Sequence, residues 1–250
     1  MTFDLTTVLV AVALLFAAFV KGTTGFGFPV IATPTVALLA DIRTAVTILI
    51  IPNLVMDTTQ VFRGGFPYAV LRRFARLLAL TVIGVFAGTK LLVTLPLWIL
   101  NICLGVMVLL FVLSTLLRLD FTISPRAEPY LSPVAGALSG FLNGMTNAAG
   151  PALAIYLYSL KLPKLEFIKS IATIFIATKL SQLAAVSTWN LFNRSNLLLS
   201  LEVTLFVLLG FYAGLKTQDR VNQKTFNRGV LIFLFVIGVT LVVRALTQRA

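Results

Sequence analysis

Along this chain the apolar residues gather into stretches of 10 to 25 positions, each closed by glycine, proline or charge, with no run of alternating polar and apolar positions. The pattern reads as α-helices, because the strands of a membrane barrel would alternate with a period of two. It predicts helices over 8–20, 28–40, 43–62, 70–93 and 97–117, then over 130–142, 151–160, 165–189, 197–214 and 228–246. A bilayer crossing takes about 20 apolar residues. The first two stretches of each set are therefore too short to cross upright, and the other three are long enough. Each short couple reads as a helical hairpin, re-entrant or spanning, with its tip at the polar segment between the arms.

Those polar segments form a repeat. Lys21-Gly-Thr-Thr-Gly-Phe-Gly-Phe-Pro29 recurs 122 residues later as Asn143-Gly-Met-Thr-Asn-Ala-Ala-Gly-Pro151, with Gly22, Thr24 and Pro29 matched by Gly144, Thr146 and Pro151. The same offset pairs Gln60 with Gln182. After a four-residue insertion Gly84, Gly88, Lys90 and Asn101 match Gly210, Gly214, Lys216 and Asn227. An ordered series over more than a hundred residues points to a duplicated unit. The expected organisation is a first membrane repeat over 1–118, a linker over 119–129 that faces the cytoplasm, and a second repeat over 130–250, all in one membrane domain.

Composition places the chain in a bilayer. Of its 250 residues 59% are apolar and 11% charged, with a mean hydropathy of +1.02, where soluble domains carry about a quarter charged residues. No Lys or Arg precedes the first apolar run, so that run is expected to stay in the mature protein. The net charge of +12 sits in the loops, where it reports orientation and not nucleic-acid binding. If each hairpin returns to its starting side, Arg63, Arg72, Arg73, Arg76, Arg118, Arg126, Lys161, Lys164, Lys169, Lys216, Arg220, Lys224 and Arg228 share one face. Only Arg43, Lys90, Arg194, Arg244 and Arg249 take the other, thirteen against five. Read as one broken crossing per hairpin, the same loops divide nine against nine. The asymmetry favours an all-α membrane protein of two inverted-topology repeats, each a hairpin plus three transmembrane helices, with both termini outside the cytoplasm.

Non-helical backbone at membrane depth needs protein or water around it, and a matched pair of such segments in inverted halves points to a transporter's substrate site. Pro29 and Pro151 suit the first turn of the helices that follow, whose free N–H groups and dipole favour an anion at the tip. Lys21, Gly22, Thr23, Thr24 and Gly25 in one half, with Asn143, Gly144, Thr146 and Asn147 in the other, are the candidate substrate contacts. Gly27 and Gly150 would likewise let a ligand approach the backbone. Small residues also serve close helix packing, and that is the expected role of Gly84, Gly88, Gly210 and Gly214. Lys21, Asp57 and Lys179 are charges at membrane depth. Asp57 and Lys179 are repeat mates of opposite sign, and are expected to pair near the substrate path, with Lys179 or Lys21 supplying positive charge to the anion. Asp57, Gln60 and Gln182 are candidates for lining the cavity or coupling transport to a proton or sodium ion. With no histidine and the single Cys103 in an apolar run, no metal site, no cofactor and no acid–base or thiol catalysis is expected.

KGTTGFGFPVIATPTVALL and NGMTNAAGPALAIYLY resemble the two signature regions of the sulfite exporter TauE/SafE family, also called the toluene sulfonate uptake permeases. The resemblance implies secondary transport of a small sulfur-containing or organic anion, such as sulfite, a sulfonate or sulfoacetate, across the bacterial inner membrane. It also implies that the two regions meet at the protein's centre, with Thr23, Thr24, Gly25, Thr146 and Asn147 as the matched substrate contacts. Many relatives carry a glycine run before the second proline, where this chain has Asn147-Ala148-Ala149-Gly150, whose methyls would reshape the site. An anion channel of similar architecture and a carboxylate transporter are the alternatives.

Overall fold

The computed structural model describes residues 5–63, 65–117, 122–148, 150–217 and 223–247. They form twelve helices and no strand: α1 (Leu5–Thr24), α2 (Phe28–Leu39), α3 (Ile42–Ile48), α4 (Ile50–Phe62), α5 (Tyr68–Arg73), α6 (Ala75–Thr94), α7 (Leu97–Leu116), α8 (Glu128–Thr146), α9 (Gly150–Ser159), α10 (Lys164–Thr188), α11 (Arg194–Thr217) and α12 (Gln223–Thr247). Six spans, three per half, are long and apolar enough to cross a bilayer, with α3 and α4 acting as one. Leu205 and Leu209 on α11 and Val236 on α12 point outward, as a lipid-facing surface requires. Arg118, Arg220, Ala149 and Arg249 lie outside the described residues, as do residues 119–121 of the expected linker.

The hairpins depart from expectation at their first arms. α1 continues through Lys21-Gly-Thr-Thr and α8 through Asn143-Gly-Met-Thr, so most of each polar segment is helical and only the last few residues turn. The first arms are 20 and 19 residues long and at 1.5 Å per residue reach about 30 Å. Only α2 and α9, with 12 and 10 residues, are short.

Two predicted helices are divided. The stretch over 43–62 breaks at Leu49, because Pro52 has no N–H to give the Ile48 carbonyl. That carbonyl accepts instead from Ser200 Oγ of α11, at 2.6 Å. The stretch over 70–93 turns at Phe74 (φ −100°, ψ 18°), where no proline or glycine announces it.

Helix contacts are reciprocal between the halves. α6 packs along α8 and α1 along α11; α4 meets α10 and α7 meets α12. In the first two couples glycines bring backbones together. A methyl at Gly84, Gly88, Gly136, Gly140 or Gly144 would run into carbonyls of the facing helix, and the same holds for Gly22, Gly210 and Gly214. Gly84, Gly88, Gly210 and Gly214 thus serve packing as expected. Gly22 and Gly144, read from the sequence as substrate contacts, are spent on the same packing.

The helix ends collect at two poles. At one, Arg73 donates to Glu128 at the start of α8 and to Glu166 at the start of α10, through contacts of 2.8–3.0 Å. At the other, Arg43 donates to the carbonyls of Leu92, Val93 and Leu95 at the end of α6, and Arg244 to that of Leu38 at the end of α2. The second hairpin starts at the first pole, and the first hairpin ends at the second.

Candidate functional site

Each tip is built by the same hydrogen bonds on equivalent residues. Gly25 N–H donates to the Lys21 carbonyl and Asn147 N–H to the Asn143 carbonyl, both at 2.8 Å. Thr24 Oγ1 donates to the Val20 carbonyl and Thr146 Oγ1 to that of Leu142, again at 2.8 Å each. Both hydroxyls then accept from the backbone two residues on, Phe26 and Ala148, at 3.4 Å. The turn needs a left-handed residue, supplied by Gly25 (φ 89°) and Asn147 (φ 61°), the two types that tolerate it best. In α2, Pro29 sits in the first turn, preceded by left-handed Gly27 (φ 103°).

The glutamines clamp these tips. Gln60 Nε2 donates to the Lys21 carbonyl at 3.1 Å and Gln182 Nε2 to the Asn143 carbonyl at 3.0 Å. Since a carbonyl only accepts, both amide orientations are fixed, and each Oε1 turns toward the interior.

Beside the clamps the halves differ in charge. Lys21, fully buried, lies 2.7 Å from Asp57 Oδ1 and 3.1 Å from Asn53 Oδ1, and its Nζ is 5.7 Å from the Phe175 ring centroid. Lys179, also buried, donates to Gln182 Oε1 at 2.6 Å, to Asn143 Oδ1 at 3.5 Å and to Asn147 Oδ1. The expected Asp57–Lys179 ion pair is therefore not formed: Asp57 pairs with Lys21. Helices α4 and α10, which carry Asp57 and Lys179, do pack together, but Asp57 Oδ1 is taken by Lys21 and the Lys179 ammonium by the amide oxygens of Asn143, Asn147 and Gln182. Asn147 Nδ2 also donates to Thr33 Oγ1 of α2 at 2.9 Å, so the second tip touches the first hairpin.

A cavity of about 970 Å³ opens between the first tip, the end of α7, α9 and the starts of α10 and α12. Thr23, Thr24 and Gly27 line it on the tip side, and Lys161 and Lys164 lie toward its mouth. Its wall carries Phe26, Tyr158 and Phe167, with Tyr158 stacked on Phe167 (4.4 Å between centroids) and Phe26 edge-on to both (6.3 and 6.1 Å). Lys21, Lys179, Asn143, Thr146 and Asn147 are buried and do not line it, and Gly25 packs on Ile168. Asn53 and Thr33 escaped the sequence reading. Asn53 stands one helical turn before Asp57 and Thr33 one turn after Pro29, a usable signal; three aromatics among 20 phenylalanines and five tyrosines offer none.

Two buried lysines beside duplicated tips, in a helical bundle with six spans long and apolar enough to cross a bilayer, fit a membrane transport protein. The sulfite exporter TauE/SafE family model matches residues 10–241, and the chain belongs to that family. No curated protein and no solved structure matches it. The protein is thus a multi-pass membrane transporter of the sulfite and sulfonate exporter type, not an enzyme.

Proposed function

We propose that this chain carries one small sulfur-containing or organic anion across the bacterial inner membrane by alternating access, with the anion held between the two tips at Lys179. The observation that carries this reading is that Lys179, buried in the bundle, is met among the described residues only by neutral oxygens of Asn143, Asn147 and Gln182. A buried cation so placed is an invitation to an anion, since pairing offsets the cost of burying charge. Inverted topology is supported by the reciprocal helix contacts and by hairpins that open at opposite poles. The pole of Arg73, Lys161 and Lys164 is the cytoplasmic one on the charge bias, which makes this an inward-facing conformation. Energy comes from the substrate gradient or from a coupled proton or sodium ion, with Asp57 the coupling candidate.

Purified protein in liposomes is expected to show saturable, counterflow-competent flux of sulfite or a sulfonate. Lys179→Met should lower it by about tenfold to a hundredfold, the worth of a charged hydrogen bond. Folded protein that moves no anion, or a Lys179→Met variant with undiminished flux, refutes the reading. Flux that never saturates and shows no counterflow belongs to a channel.

A further inference from the structure

We infer that the interior is charge-matched to a single monovalent anion, with Asp57 as the residue that sets this valence. The inference rests on the transporter reading above and names the substrate's charge class.

Among the described residues, the buried charged side chains are Lys21, Lys179 and Asp57. Each ammonium is dressed as a cation. Lys179 meets three oxygen acceptors, matching the three donors of –NH3+. Lys21 meets two oxygens and an aromatic ring. With Asp57 ionised against Lys21, the interior carries one positive charge in excess. A monovalent anion brings it to zero. A divalent anion overshoots to an uncompensated negative charge, and leaving one buried costs several kcal/mol.

The same residues decide which tip takes the anion. Beside Lys179, Asn143 Nδ2 is a buried donor with no acceptor among the described residues, so an anion there gains an ammonium and an amide N–H. Beside Lys21 the buried atoms with no partner among the described residues are Asp57 Oδ2 and Gln60 Oε1, both acceptors, which repel an anion. Asp57 already occupies on Lys21 the place that substrate would take on Lys179. The two tips share a backbone, yet one is neutralised from within and the other is left for the ligand, so the stoichiometry is one anion per chain.

Methanesulfonate and sulfate test this, being tetrahedral ions of similar size that differ by one charge. In liposomes the wild-type protein should transport methanesulfonate at least about tenfold better than sulfate, a factor corresponding to 1.4 kcal/mol. Asp57→Asn raises the excess charge to two and should shift that ratio toward sulfate by about tenfold or more. The double variant Lys21→Met with Asp57→Leu removes the pair but keeps the excess at one, so its ratio should stay at the wild-type value even where its rate falls. Equal transport of both ions by wild type overturns the valence inference alone, as does an Asp57→Asn ratio that does not move or a double-variant ratio that does. Absence of flux for both ions in folded wild-type protein overturns the transporter reading beneath it.

Discussion

Lys21 and Asp57 form a buried ion pair whose worth lies in what happens when it is broken. Replacing a buried pair by apolar residues is often harmless, whereas removing one partner strands a charge at a cost of about 3–5 kcal/mol. Lys21→Met alone should therefore destabilise the protein by about that amount in detergent unfolding. Gln60→Leu, which removes a donor from a carbonyl that still accepts from Gly25, should cost only about 1 kcal/mol. Equal losses for the two variants would show that Lys21 is not the charge partner. The three charges are legible in the sequence, since each interrupts an apolar run. Their pairing is not, because an equal offset states which positions are equivalent and says nothing about which side chains meet. Gly25 and Asn147 show the opposite case. Different residues at one repeat position are explained once both are seen to hold the left-handed turn.

At the level of the helix, Ser200 illustrates how one element completes another. Its hydroxyl serves the Ile48 carbonyl that Pro52 leaves without an N–H, so Ser200→Ala should destabilise by about 1–3 kcal/mol, the penalty of an unsatisfied buried polar group. In a Pro52→Ala background the helix N–H is restored and the same change should cost little. Additive losses, measured by thermal unfolding of the four proteins, would rule out the exchange of donors. Pro52 marks the break in the sequence, but the remedy lies 148 residues away and no local pattern reveals it. The hairpin arms teach a related lesson. Polar Lys21-Gly-Thr-Thr looks like a loop, yet Gly22 seats the helix against Gly214, and Thr23 and Thr24 return their hydroxyls to the Val20 carbonyl. Close packing and internal hydrogen bonds thus carry α1 to Thr24, where propensity alone would end it earlier.

Taken as a whole, the molecule is open at one pole and shut at the other, and the repeat says what the shut pole should become. Tyr158 and Phe167 line the cavity; their equivalents, 122 residues earlier, are Val36 and Ala45, both buried in the core with 5% and 0% exposure. If the halves exchange conformations, as alternating access between inverted repeats requires, a second cavity opens there, lined by smaller side chains and entered past Arg43 and Arg244. Single cysteines in a Cys103→Ser background make this visible. Tyr158→Cys, at a site 55% exposed, should react with an impermeant thiol reagent from the Arg73 pole when no substrate is present. Val36→Cys should be protected at rest and react only from the opposite pole, at a rate that rises with a transported anion on both sides. A channel with a fixed path would leave Val36→Cys indifferent to substrate, and a reaction from the Arg73 pole would place the two hairpins on the same side. The aromatic trio at one pole against alanine and valine at the other also makes the two openings unequal. The state with the wider apolar wall, facing Lys161 and Lys164, should therefore release bulky anions more slowly than its counterpart, which efflux and uptake rates of methanesulfonate and a long-chain alkanesulfonate in oriented vesicles would reveal as a directional difference growing with chain length.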